Sequence, residues 1–110
     1  MQWIKKGLLF CPDGKSTWNQ RGYAHVVCAD TSYEDKIRLY YSARDNQGRC
    51  QASFIDLDRN NLSKVIYVHP EPILDLGVPG TFDDCGIMPT WFMQNGEEKW
   101  LYYIGWTVRN

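Results

Sequence analysis

The chain repeats itself at an offset of 62 residues without a gap. Gly22-Tyr23-Ala24-His25-Val26-Val27 lies opposite Asp84-Cys85-Gly86-Ile87-Met88-Pro89, and Leu39-Tyr40-Tyr41 lies opposite Leu101-Tyr102-Tyr103. A repeat constrains architecture more than any local propensity does. Each copy must form the same supersecondary unit and bury its apolar face against a neighbour. The 110 residues hold one full copy and part of a second. The second copy is organised around Gly80 to Phe92, where the adjacent carboxylates Asp83 and Asp84 precede an apolar run. That run turns at Gln94-Asn95-Gly96 and returns as the aromatic stretch Lys99 to Trp106.

The local patterns specify strands. Lys36 to Arg44 alternates over nine residues, with Ile37, Leu39, Tyr41 and Ala43 on one side and Arg38, Tyr40, Ser42 and Arg44 on the other, a period of two. Tyr23 to Ala29 is a short apolar run with Val26-Val27 at its centre, which suits a strand covered on both faces. Asp45 to Gly48 closes a hairpin into a third strand, Cys50 to Leu57, and Asp58 to Asn61 turns into a fourth, Lys64 to Val68. Trp3 to Phe10 predicts a further, N-terminal strand ahead of the turn residues Pro12-Asp13-Gly14. Apolar residues do not recur at helical spacing, and Gly, Pro, Asn and Asp interrupt too often for helices. The expectation is an all-β single domain over 1–110 of roughly seven strands. Residues 1–69 supply an N-terminal strand and an antiparallel four-stranded meander, and 70–110 a connector and half of a second unit. The second unit is read as ending unfinished at Asn110.

Composition removes several function classes. The net charge is −1 with both signs interspersed, which leaves no electrostatic footprint for nucleic acid or a membrane surface. No apolar run approaches the roughly 20 residues that span a bilayer, and the apolar part of the N-terminus stops at Pro12, short of a signal peptide. The expected compartment is therefore the cytoplasm. Cys11, Cys28, Cys50 and Cys85 form no C-x-x-C pair, so free and mostly buried thiols are expected rather than a metal site. No Gly-rich phosphate loop, nucleophile elbow or cofactor motif is present.

A four-stranded meander repeated radially is the β-propeller plan. Lys36 to Gly48 resembles the first-blade hairpin of the five-bladed propeller glycosidases and their relatives, a superfamily of arabinanases, xylosidases, fructosidases and mannoside phosphorylases. Gly80 to Pro89 and Leu101 to Trp106 are similar to the opening and second strand of the second blade. The resemblance covers nearly the whole chain but only about the N-terminal third of such an enzyme. It implies a partial propeller and acidic side chains converging at the mouth of a central tunnel, from the first, second and third blades. Here the first-blade position, Arg21 to His25, carries no acid, the second-blade position carries Asp83 and Asp84, and the third blade lies beyond the chain. Glycoside hydrolysis needs one carboxyl as acid and another as base or nucleophile, so the monomer is expected to be inactive.

The candidates follow from that plan. Asp84 and Asp83 are the candidate catalytic or sugar-binding carboxylates, set against a structural role for Asp84 as an acceptor of main-chain amides. His25, opposite Ile87 in the repeat, is a candidate hydrogen-bonding group. Arg44, beside Asp45 at a hairpin end, is a candidate clamp, and Trp106 a stacking platform at the open end of its strand. Trp91, Trp100, Tyr102 and Tyr103 are read as core, and His69 as exposed. No metal and no cofactor are expected. The functional expectation is a truncated glycosidase-like protein that binds a saccharide and self-assembles through its N-terminal strand and C-terminal edge strand. Two alternatives stand beside it: an enzyme whose site is completed by oligomerisation, and a structural or interaction module. A second carboxylate such as Glu71, Glu97 or Asp30 sharing a cavity with Asp84 would favour the enzyme.

Overall fold

The computed structural model describes residues 1–108, so Arg109 and Asn110, to which the second unit was expected to run, lie outside the described residues. Six strands form one mixed sheet: β1 Ala24–Asp30, β2 Lys36–Arg44, β3 Cys50–Asp58, β4 Asn61–Val68, β5 Gly86–Asn95 and β6 Glu98–Trp106. β1 to β4 make the expected antiparallel meander, and β5 and β6 make a separate antiparallel hairpin. The hairpin joins the meander through one parallel bridge, Cys50 to Gly86. The repeat is visible in the strand limits. β1 and β5 begin 62 residues apart, and β6 spans the counterparts of β2 at both ends. No helix among the described residues is long and apolar enough to cross a membrane.

The alternation in β2 becomes two packed faces. Tyr41 and Ala43 join Trp18, Ile55 and Leu57 in the core on one face, with Phe10 and Leu39 packed against them. The opposite face meets the hairpin: Tyr40 stacks on Phe92 at 6.3 Å between ring centroids, and Ser42 donates a hydrogen bond to the Ile87 carbonyl at 3.0 Å. Burying an aromatic such as Tyr41 contributes on the order of 2–3 kcal/mol. The hairpin turn places Gly96, at φ 61, first of two loop residues between the paired Asn95 and Glu98. A two-residue loop with φ > 0 at its first position favours glycine there.

Three expectations are corrected. Trp3 to Phe10 is not a strand: no residue of it joins the sheet, and most of it is exposed. Its Gly7 takes φ 105, outside extended geometry, and only Phe10 docks, against Tyr41 at 5.4 Å. The segment thus covers the sheet with side chains instead of extending it, and the described strands number six rather than seven. Trp91, Trp100 and Tyr102 are exposed, because none of the described residues covers the face of β5–β6 that carries them. His69 is half-buried, stacked on Phe54 at 4.5 Å.

β1 also carries a bulge between His25 and Cys28. Within it Val26 adopts φ 49, the one non-glycine with positive φ among the described residues. A β-branched side chain there is strained, because Cβ crowds the following carbonyl.

Candidate functional site

Residues from five strands meet at one end of the sheet, here the upper end. His25 is the second residue of β1, Arg44 the last of β2, Cys50 the first of β3, Gly86 the first of β5 and Trp106 the last of β6. β1, β3 and β5 start at this end while β2 and β6 finish here, and the parallel Cys50–Gly86 bridge sets the starts of β3 and β5 side by side. Main-chain bonds close the seam: Cys50 N–H donates to the Cys85 carbonyl at 3.0 Å, and Cys85 N–H to the Trp106 carbonyl at 3.1 Å.

Cys50 is the hub. It is fully buried, its sulfur accepts a bond from Arg44 Nε at 3.2 Å, and His25 Nε2 lies 3.8 Å away. The Arg44 guanidinium also sits 5.9 Å from the Trp106 ring centroid, within cation–π range. Burial first, and then the Arg44 charge, push the His25 imidazole below its usual 6.5. It is therefore neutral at pH 7 and offers one donor and one acceptor.

The paired carboxylates point apart. Asp83 is buried; its Oδ2 accepts from the Tyr103 hydroxyl at 2.9 Å and its Oδ1 from Thr81 at 3.1 Å. The bond to Asp83 in turn raises the pKa of the Tyr103 phenol. Asp83 thus clasps the segment before β5 to β6. Asp84 Oδ2 accepts the Gly80 N–H at 2.7 Å, a main-chain bond of the kind expected for a structural role. The Thr107 hydroxyl, then the Gly80 amide and the Cys85 thiol, lower the Asp84 pKa. Thr107 and Cys85 stand near the carboxylate without a hydrogen bond of full geometry, so Oδ1 of Asp84 is buried without a hydrogen-bond partner among the described residues, and so is Nε1 of Trp106. Buried polar atoms nearly always have partners, so an unpaired carboxylate oxygen and an unpaired indole N–H at one end of one hairpin require an explanation. The Trp106 ring lies directly against Gly86, where any side chain would collide with the indole.

Of the residues singled out from sequence, His25, Arg44 and Trp106 come together around Cys50, and Asp84 lies at the same end. Asp83 turns away toward Tyr103. Arg44 does not pair with Asp45, which is buried and bound by Arg49 Nε at 2.8 Å. Asp30 and Glu97 are at the opposite, lower end, and Glu71 is exposed in the connector. Cys50 was missed as a site residue. The signal that locates it is hairpin register, because Arg44 and Cys50 flank the Asp45–Arg49 turn and pair across it. Among the described residues, no three His, Cys, Asp or Glu side chains converge as a metal site.

The chain is 34% identical over 108 residues to two uncharacterized proteins of Mycobacterium tuberculosis, one from strain CDC 1551 / Oshkosh and one from strain ATCC 25618 / H37Rv. The match takes in 98% of this chain and spans 36% of the length of each relative. No protein-family model matches the chain, and no solved structure matches it at a significant level.

Proposed function

We propose that the chain is part of a β-propeller-like protein akin to the propeller glycosidases, and that its upper end binds a neutral saccharide without hydrolysing it. The observation that carries the reading is the unpaired couple at that end, a carboxylate oxygen of Asp84 and the indole N–H of Trp106. A sugar hydroxyl both donates and accepts, so hydroxyls of one saccharide suit an acceptor and a donor at the same end of the sheet. The Trp106 face adds a surface for the axial hydrogens of the ring. Neutral His25 and the Arg44 guanidinium extend the polar lining with little preference for an anion, since Arg44 is already engaged with Cys50.

Binding without hydrolysis rests on the carboxylates. Asp83 is committed to Tyr103 and Thr81, and Asp30 is tied to Lys99 at the lower end. A glycosidase needs two carboxyl groups about 5–10 Å apart across the scissile bond, and Asp84 alone supplies one.

Calorimetric titration with a panel of mono- and oligosaccharides tests it. Binding in the millimolar range is expected, with Asp84→Asn and Trp106→Phe each weakening it about tenfold through loss of one hydrogen bond. Activated aryl glycosides should show no turnover. Equal affinity in all three proteins, or turnover abolished by Asp84→Asn, overturns the reading.

A further inference from the structure

Each unit has two faces, and the repeat makes them equivalent between units. Tyr40 and Ser42 on β2 are the counterparts of Tyr102 and Ile104 on β6. In the first unit this face is closed by the hairpin, through Tyr40 on Phe92 and Ser42 on the Ile87 carbonyl. In the second unit the same face is open. Trp91, Met93, Trp100, Tyr102 and Ile104 are 39–66% exposed, and the pairing of Trp91 with Tyr102 and of Met93 with Trp100 sets them side by side. An apolar patch this large on a soluble chain marks an interaction surface.

The chain also carries the complementary surface. The hairpin grips the first unit with a face that includes Pro89, Leu101 and Tyr103, which line an apolar cavity with Ala52 of β3. Their counterparts in the first unit are Val27, Leu39 and Tyr41. These line a small apolar groove of about 120 Å³ with Leu9 and Phe10. Val27 is 57% exposed and Leu9 38%, so Phe10 and Trp18 cover this face only in part.

We propose that a second copy of this chain seats the Val27–Leu39 face of its first unit on the open Trp100–Tyr102–Ile104 face. The contact repeats between molecules the packing that already joins the two units within one. It is head-to-tail, so a pair of copies keeps one free face of each kind, and association continues beyond two copies or closes into a ring. It joins sheet faces, not the N-terminal strand expected from sequence, and it holds whether or not the upper end binds a sugar.

Two surface charges and a mixing experiment test the proposal. Ile104→Lys blocks the open face and Val27→Lys blocks the groove face, with near-UV circular dichroism confirming that each variant folds. If Val27→Lys does not fold, Leu9→Lys takes its place. Light scattering of the unmodified chain across a dilution series should show mass rising beyond one copy. Each variant alone should stay a single copy, its association weakened about tenfold or more. An equimolar mixture should form a two-copy species and nothing larger, because each variant retains the face the other lacks. An unmodified chain that stays single at millimolar concentration overturns the proposal, as does an Ile104→Lys variant that associates normally. A mixture of folded variants that stays single would also contradict the head-to-tail contact.

Discussion

The two ends of the sheet are built from the same strands and treat their polar groups in opposite ways. At the lower end the buried carboxylates each have a cation. Asp30 receives Lys99 at 2.9 Å across the boundary between the two units, and Asp56 receives Arg38 at 2.8 Å and Lys36 at 3.4 Å. The guanidinium of Arg38 also lies 3.8 Å from the Phe54 ring centroid, and the ammonium of Lys99 3.4 Å from that of Tyr33. At the upper end Asp84 Oδ1 and Trp106 Nε1 have no partner among the described residues, and a strained Val26 sits one residue beyond His25. Satisfied networks fix geometry, whereas a buried polar group left unsatisfied calls for a partner. The lower end therefore holds the hairpin to the meander, and the upper end is where binding is expected.

Mutations should separate the two ends. The largest effect is expected at the lower end. Arg38→Met strips two hydrogen bonds from buried Asp56 and should cost about 3 kcal/mol, read by denaturant unfolding. Lys99→Met leaves buried Asp30 with Ser32 as its remaining partner and should cost about 2 kcal/mol. A loss below about 0.5 kcal/mol in both would mean that the ion pairs do not hold the units together. At the upper end the expected sign reverses. Val26→Gly should stabilise by about 1 kcal/mol by relieving the positive φ, despite glycine's larger entropy loss. Destabilisation would show that Val26 contributes more by packing than it costs in strain.

Acid should act on the two ends in different windows. His25 is held below its unfolded value, so the unfolded chain binds the extra proton. The stability linked to it is full above about pH 6.5 and falls as pH drops below that. Burial opposes ionisation of Asp30 and Asp56, but Ser32 and Lys99 on one, and Arg38 and Lys36 on the other, outweigh it and lower both carboxyls. Their contribution is present above about pH 4 and is lost as pH falls further. Asp84, although at the upper end, shares this lower window, so His25 is the group that sets the ends apart, and Asp84→Asn removes the Asp84 share. Thermal unfolding scans should thus show a small loss between pH 7 and 5 that His25→Gln abolishes, then a steeper loss below pH 4. One featureless slope, unchanged by His25→Gln, would remove the distinction between the ends.

The repeat and the period-two alternation made most of the fold legible. Lys36 to Arg44 was read with the limits the strand has, because alternation is a local property, while the turn expected at Gln94-Asn95-Gly96 falls at Gly96-Glu97 with Gln94 and Asn95 inside β5. Trp3 to Phe10 misled because bulky apolar residues signal burial without saying whether main chain or side chain makes the contact. Here only Phe10 docks. Trp91, Trp100 and Tyr102 misled for the complementary reason: their pattern specifies a face, and whether that face is covered depends on what lies beside it. His25, Arg44, Asp84 and Trp106 were legible as candidates because the repeat and the turns set where strands begin and end. Cys50 was not, since a buried thiol gains a role only through the neighbours that register brings to it. The φ of Val26 is invisible in a sequence that favours extended backbone at that position.

If the unpaired groups of the upper end are a ligand site, the Trp106 indole N–H reports on it directly. Its proton resonance, followed by NMR while a binding saccharide is added, should move downfield and saturate together with the amides of Gly80 and Cys85, and Asp84→Asn should greatly weaken the response. Lower-end resonances such as the Lys99 amide should stay in place. If binding saturates while the Trp106 indole resonance does not move, or if the lower end shifts instead, the site is not where the unpaired atoms put it.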